Sequence, residues 1–369
     1  MDWVTSADTD KNQNKEELMK YDPDQDPRLD PRLKQALKIM GQLSGTDEPP
    51  VDVPNRQVLL ANANSPEGVA RRETMEGMFG AMDNIKVAPK EGLRIEKHSI
   101  ESAPDGNTIH LSVMRPDTDE TLPCVYYIHG GGMMTLSCFF GTYQTWGRMI
   151  AHQGVAVVMV DFRNCLTPSS VPEVAPFPAG LNDCVSGFLW AYQQAATFNI
   201  DPTRMIIAGE SGGGNLSIAT TMKLIRDGHG DKQAGLYALC PYISGEWPRP
   251  EFPSSSENDG IFITIGNNHG AMAYGIDELL AKNPLAWPYF AGSDDLKDFP
   301  PTMVSVNECD PLRDEGIDFY RKLMNAGVKA QCRQVMGTAH GAELFTSTVT
   351  DISRVTARDI RGWVDECAR

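Results

Sequence analysis

The chain has 369 residues, 41% of them hydrophobic and 22% charged, which is ordinary globular material with enough apolar residues for a large core. Lys and Arg total 33 against 49 Asp and Glu, so the net charge is −16. That charge repels phosphate backbones and anionic membrane surfaces, and it excludes nucleic acid and lipid headgroups as main partners.

The acid concentrates at the N-terminal end. Met1–Asn55 holds 12 Asp or Glu against 7 Lys or Arg, densest at Asp22, Asp24, Asp26 and Asp30. Met1-Asp2-Trp3 leads into polar residues, unlike the basic and then apolar pattern of a secretory signal. No apolar run approaches the ~18 residues of a membrane span. The eight cysteines form no C-x-x-C pair, which argues against zinc or thioredoxin-type chemistry and for free thiols in a reducing cytoplasm. Length alone gives about two domains.

Residues 1–90 read as a helical segment. Asp30-Pro31 is a good helix start, with Asp as N-cap and Pro in the first turn. Leu33, Ala36, Leu37, Met40 and Leu43 follow at helical spacing. A Pro-rich linker, Glu48–Pro54, precedes a second amphipathic helix over Pro66–Met82, with Val69, Met75, Met78 and Phe79 on its apolar side. From about residue 92 the pattern changes. Leu93–Lys97 and Thr108–Met114 alternate like an antiparallel pair. Cys124–Ile128, Val155–Val160, Met205–Ala208, Leu236–Leu239, Met303–Val306 and Ala330–Val335 are continuous apolar runs, as a sheet buried on both faces requires. Helical stretches at Ala179–Thr197, Gly212–Arg226, Arg313–Ala326 and Ile352–Cys367 separate the later runs. The order predicts an α/β fold with a mostly parallel sheet and helices on both faces. Gly245–Asn283 breaks the rhythm with a Pro/Ser-rich turn and a helical piece, Ala271–Ala281. It reads as an insertion at the carboxyl end of a strand, where open α/β sheets place ligands.

Gly209-Glu210-Ser211-Gly212-Gly213 matches G-x-S-x-G, between the strand Met205–Ala208 and the helix Gly212–Arg226. A strand-to-helix elbow strains the serine backbone and exposes Oγ at a helix N-terminus, where backbone N–H groups favour negative charge. The alternative is a Gly-rich structural turn. His129-Gly130-Gly131-Gly132 follows the strand Cys124–Ile128. A glycine triplet lets backbone N–H groups turn inward, as acyl transfer needs where a carbonyl oxygen becomes negative. His129 reads as a residue that orients this loop. Ser211 needs a base, and His340 lies in the loop after the last strand, where the order Ser…Asp…His places it. His269 is the runner-up. Asp310 directly follows the strand ending at Cys309, ahead of its competitors Glu308 and Asp314. Its role would be to hold the imidazole tautomer. Cys309, beside Asp310, is the one cysteine that could be a regulatory thiol, a buried structural cysteine being the other reading.

With these residues in view, the chain resembles the hormone-sensitive-lipase-like esterases, the bacterial family IV carboxylesterases of the α/β-hydrolase fold. The matching pieces are His129-Gly130-Gly131-Gly132, Gly209–Asn215, Asp310-Pro311-Leu312-Arg313-Asp314-Glu315-Gly316 and His340-Gly341, with Phe177-Pro178-Ala179 and Asn283-Pro284-Leu285 as further landmarks. The resemblance implies Ser211 as nucleophile, His340 as base and Asp310 as its partner, with oxyanion donors from the N–H groups of Gly131, Gly132 and Gly212. It implies a small-molecule ester with a short or medium acyl chain as substrate, no metal or organic cofactor, and a homodimer. It also implies a cap made from residues 1–90 and 245–283 over a catalytic core of residues 91–244 and 284–369. An acidic cap should disfavour anionic substrates. Asn164-Cys165-Leu166-Thr167-Pro168, Met133-Met134 and Ala342 depart from the family pattern, and they bear on pocket shape. A hormone receptor on the same fold would lack the histidine, and an amidase or peptidase would share the whole triad.

Overall fold

The structure, a computed structural model, describes residues 25–44 and 50–368, without the side chains of residues 41–44. The acidic stretch through Asp22 and Asp24, the Glu48-Pro49 part of the linker and the Leu43 side chain lie outside the described residues.

Three helices come first: α1 (Pro31–Ser44), α2 (Arg56–Ala63) and α3 (Pro66–Ala81). Each starts at a polar side chain that satisfies a free backbone donor. Asp30 Oδ1 accepts the Arg32 N–H at 2.8 Å, Asn55 Oδ1 accepts that of Val58 at 3.1 Å, and Ser65 Oγ accepts that of Gly68 at 3.0 Å. Leu33 and Leu37 of α1 are buried as the spacing predicts. On α3, Val69, Met75, Met78 and Phe79 are only half-buried. No separate helix was expected between the linker and Pro66, because a helix of 8 residues such as α2 shows too few turns for a period.

An eight-stranded sheet follows, built from β1 (Leu93–Ser102), β2 (Asn107–Pro116), β3 (Leu122–Ile128), β4 (Ala156–Asp161), β5 (Ile200–Glu210), β6 (Gly235–Leu239), β7 (Thr302–Cys309) and β8 (Ala330–Ala339). Its order is β1-β2-β4-β3-β5-β6-β7-β8, with β1 and β2 antiparallel and β3 to β8 parallel. The intervening helices are α4 (Gly141–Ala151), α5 (Ala179–Gln193), α6 (Gly212–Arg226), α11 (Arg313–Asn325) and α12 (Thr350–Cys367), with the short α7 to α10 described below. Alternate strand residues feed two cores. Cys124, Tyr126 and Ile128 pack with Phe188 of α5, Leu216 of α6 and Phe319 of α11. Val125 and Tyr127 pack with Trp146 of α4 and Ile360 and Trp363 of α12. This is the α/β-hydrolase architecture that the resemblance implied.

The insertion carries the short helices α7 (Ser254–Glu257), α8 (His269–Tyr274) and α9 (Ile276–Leu280), and α10 (Ser293–Leu296) follows it. The single helix expected over Ala271–Ala281 is broken at Gly275, whose extended backbone separates α8 from α9. The N-terminal segment is laced to the insertion. Asn268 exchanges two hydrogen bonds with the Val53 backbone, at 2.9 and 2.8 Å, and the His269 ring meets Val51 O at 2.8 Å. Arg56 donates to Ala273 O at 3.1 Å and to Cys165 O at 2.6 Å. Asp26 and Asp30 are each bound by an arginine two residues on, at 2.7 and 2.8 Å, so the described acid here is locally neutralised. Among the described residues no helix is long and apolar enough to cross a membrane.

Candidate active site

β5 ends at Glu210, and the chain turns through Ser211 into α6. Ser211 has φ 59° and ψ −122°, a conformation that costs about 1–3 kcal/mol in a residue with a side chain. Its neighbours hold it there. The Ser211 N–H donates to Leu239 O at 3.0 Å, and Ser211 O accepts from Tyr242 N at 3.1 Å and Asn215 N at 3.0 Å. The turn has no room behind it: a Cβ on Gly213 would lie 2.1 Å from Ile128 O. The elbow is therefore set by the packing of β3 against the start of α6.

His340 follows β8 and Asp310 follows β7, so both side chains reach the same edge of the sheet as Ser211. His340 Nε2 lies 2.9 Å from Ser211 Oγ, and Nδ1 lies 2.8 Å from Asp310 Oδ2. Asp310 is fully buried and its other oxygen accepts the Leu312 N–H at 2.9 Å. Burial alone would lower the His340 imidazolium, but the Asp310 carboxylate, with Cys240 beside it, outweighs burial and holds the ring well above the ordinary histidine value. The competitors are occupied elsewhere. Asp314 pairs with Arg313 at 2.9 Å and caps Ser254, and Glu308 Oε2 accepts the Gly337 N–H at 2.7 Å. His269, the alternative base, ties the insertion to the N-terminal segment.

The loop after β3 runs through Gly131 (φ 93°), Gly132 (φ 62°) and Met133 (φ 59°). Two successive left-handed glycines turn its amides, a conformation most side chains resist. Gly212 is pressed against this loop: a Cβ there would lie 2.5 Å from Met133 N and 2.8 Å from Gly132 N. The Gly132 amide thus lies close to Gly212, the residue after Ser211, with Gly131 preceding it in the loop, and none of the three amides has an acceptor among the described residues. The segment that departs from the family pattern braces this loop. The Cys165 N–H donates to Met133 O at 2.8 Å, the Thr167 N–H to Met134 O at 2.9 Å, and Asn164 Nδ2 to Leu136 O at 2.8 Å. His129 is buried, stacked on Phe162 at 4.3 Å, with Nδ1 2.9 Å from Gly130 O. Burial disfavours its charged form, against the pull of Asp161 3.7 Å from Nε2, and the ring fixes the loop.

Three further residues belong to the site that motif reading left unweighed. Glu210, the variable residue of G-x-S-x-G, is buried behind the loop. It accepts the Gly130 N–H at 2.6 Å and the hydroxyls of Tyr143 at 2.7 Å and Tyr127 at 2.5 Å. Burial pushes its carboxyl up to about 7 against these three donors. Glu315, in the first turn of α11, accepts from Ile243 N at 2.7 Å, Ser244 Oγ at 2.7 Å and Trp247 Nε1 at 2.6 Å, and burial pushes it up to about 7 as well. It joins the Asp310 side of the site to the start of the insertion. Cys240, directly after β6, has its thiol against the His340 ring, and burial raises that thiol to about 11. Cys309, which the sequence singles out, is packed among Leu29, Leu37, Ile261 and Ala339. Their places inside the Gly209–Asn215 and Asp310–Gly316 motifs were the one available signal for Glu210 and Glu315, and nothing in the sequence marked Cys240 as a neighbour of the histidine.

Residues 125–344 match the family model of the alpha/beta hydrolase fold. A solved structure of esterase Est22 is 52% identical, covers 94% of this chain and 99% of its own, and superposes with a TM-score of 0.89. Brefeldin A esterase, a bacterial homologue of human hormone-sensitive lipase, is 36% identical over 95% of this chain and 97% of its own, with a TM-score of 0.83. Carboxylesterase NlhH of Mycobacterium tuberculosis is 29% identical over 305 residues, 78% of this chain and 91% of that protein.

Proposed function

The chain belongs to the α/β-hydrolase fold family, among the esterases that resemble hormone-sensitive lipase, and we propose that it hydrolyses small esters through an acyl-enzyme on Ser211. It is a hydrolase acting on esters. The observation that carries the mechanism is the unbroken chain Ser211 Oγ, His340 Nε2, His340 Nδ1, Asp310 Oδ2, with links of 2.9 and 2.8 Å.

In this reading His340 takes the Ser211 proton as Oγ attacks the ester carbonyl. The carbonyl oxygen gains charge and is received by the N–H groups of Gly131, Gly132 and Gly212, where loss of one donor typically costs about 10²–10³ in rate. Asp310 keeps the ring proton on Nδ1 and stabilises the imidazolium. His340 then gives its proton to the leaving alcohol, and water hydrolyses the acyl-enzyme by the same steps in reverse.

The N-terminal segment and the 245–283 insertion act together as a cap in this proposal. Their support is the Asn268–Val53 and Arg56–Ala273 hydrogen bonds and the edge-on contact of Phe262 with Phe345 at 5.2 Å, close to the His340 loop. Met133 is buried and Met134 is half-buried in the loop that carries the proposed oxyanion glycines, and this apolar setting, with the family likeness, supports short- to medium-chain esters. Eight unpaired thiols fit a reducing compartment such as the cytoplasm. Hydrolysis of a chain-length series of p-nitrophenyl esters, by the native protein and by Ser211→Ala, tests the reading. Turnover should peak at short or medium chains and vanish in Ser211→Ala. Full activity in that variant would remove Ser211 as nucleophile, and a preference for emulsified long-chain triglycerides would remove the substrate class.

A further inference from the structure

β6 lies between β5, which ends at the nucleophile, and β7, which ends at the acid. The residue directly after β6 is therefore set between Ser211 and Asp310, and here it is Cys240. Its N–H donates to Ser305 O of β7 at 2.7 Å, while the preceding Leu239 carbonyl holds the Ser211 N–H at 3.0 Å. Its thiol brings a soft donor atom to the histidine. The ligand atoms of Cys240, His340 and Asp310 all lie within 4.8 Å of one another, and all three residues are buried. Among the described residues this is the one group of three metal-ligating side chains so close together.

We infer that Cys240, His340 and Asp310 form an inhibitory site for a soft or borderline divalent cation, of the Zn²⁺ or Cd²⁺ type. One sulfur, one imidazole nitrogen and one carboxylate oxygen are the donors such ions take, whereas Mg²⁺ and Ca²⁺ seek oxygen alone. The ion sits between Cys240 Sγ, His340 Nδ1 and Asp310 Oδ2, with water completing its coordination. Nδ1 and Oδ2, now 2.8 Å apart, must separate by a few tenths of an ångström to about 1 Å to admit it. The thiol proton leaves to solvent as the sulfur–metal bond forms. A neutral ring's one proton moves from Nδ1 to Nε2, and a ring that enters protonated gives its Nδ1 proton to solvent, so in either case one proton remains, on Nε2. Nothing is oxidised or reduced. With a proton on Nε2, the ring faces Ser211 Oγ as a donor and has no lone pair to take the serine proton. The ion thus inhibits by fixing the wrong tautomer. Binding stands on the geometry of the three side chains alone, whereas its effect on hydrolysis rests on the proposed triad.

Titration with CdCl₂ separates the two. Native protein and Ser211→Ala should each show one thiolate-to-cadmium charge-transfer absorption per chain, and release one proton per ion where His340 starts neutral and two where it starts protonated. Hydrolysis by the native protein should fall in step with that absorption and return with a chelator. MgCl₂ should do neither. Cys240→Ser and Cys240→Ala should lose the absorption and bind Cd²⁺ about 100-fold more weakly, as expected for removal of one of three ligands. Retention of the absorption in both Cys240 variants, or its absence from Ser211→Ala, overturns the site. Absorption of one ion per native chain with hydrolysis untouched would uphold the site and overturn the role assigned to His340.

Discussion

Asp310→Asn changes one oxygen to an amide nitrogen at nearly constant shape, and the surroundings dictate how the amide sits. In the native site Oδ1 accepts the Leu312 N–H at 2.9 Å and Oδ2 faces His340 Nδ1 at 2.8 Å. The Leu312 amide is a donor in a fully buried place, so the asparagine oxygen must stay there, since leaving a buried donor unpaired costs about 1–3 kcal/mol. The NH₂ group then points at His340, Nδ1 must accept, and the ring proton is forced onto Nε2. His340 can no longer accept from Ser211. Such a wrong-tautomer substitution costs about 10⁴ in kcat, or about 5–6 kcal/mol of transition-state stabilisation. The thermal midpoint should move far less than that, because no volume is lost. The assay is p-nitrophenyl butyrate hydrolysis over a range of pH, with active sites counted by an organophosphorus ester. Glu343→Gln is the comparison: Glu343 is another buried carboxylate nearby, bonded to Asn307 at 3.2 and 3.3 Å. Retention of more than about a tenth of kcat in Asp310→Asn, or an equal loss in Glu343→Gln, would refute the reasoning.

Since the protonated His340 ring cannot act as base, kcat/KM should fall as pH is lowered, with a midpoint above the ordinary histidine value of about 6.5; a midpoint at or below it contradicts the role of Asp310. Glu210→Ala removes the acceptor of three hydrogen bonds, including that of the Gly130 N–H, so the loop loses its anchor and kcat should drop by about tenfold with little change in KM, as steady-state kinetics will show. Glu315 is held up to about 7 when folded, above its ordinary 4.5, so the folded state keeps a proton the unfolded chain has released. Its share of stability is therefore complete below about 4.5 and lost as pH rises through about 7, and Glu315→Gln should flatten that loss in denaturant midpoints measured at about pH 5 and about pH 8. Arg56→Ala breaks two ties between α2, the insertion and the loop at Cys165, and should raise KM by about three- to tenfold while kcat changes less.

Much of the proposed catalytic centre was legible because its residues sit at strand ends. Ser211 and Asp310 follow buried apolar strands, whereas His340 follows β8, an edge strand with Gln331, Arg333 and Gln334 that is not the doubly buried apolar run expected, because an edge strand is covered less. The parallel topology brings all three to the carboxyl ends of their strands. The N-terminal region was less legible. Val69, Met75, Met78 and Phe79 form the expected apolar face of α3, yet the fold leaves them half-buried. The insertion helix was misjudged at Gly275, because propensity does not reveal where tertiary contacts break a short helix.

The strands, the elbow, the glycine loop and the three residues of the proposed triad could be read from the sequence, since each is a local pattern with a local physical cause. Tertiary structure alone decided what surrounds them. That Glu210 holds Gly130, that Glu315 holds the insertion and that Cys240 lies against His340 are contacts between segments 70 to 100 residues apart. No periodicity or spacing encodes such contacts, because they arise where strands distant in the chain become neighbours in the sheet, and burial there shifts both carboxyls and supplies the thiol.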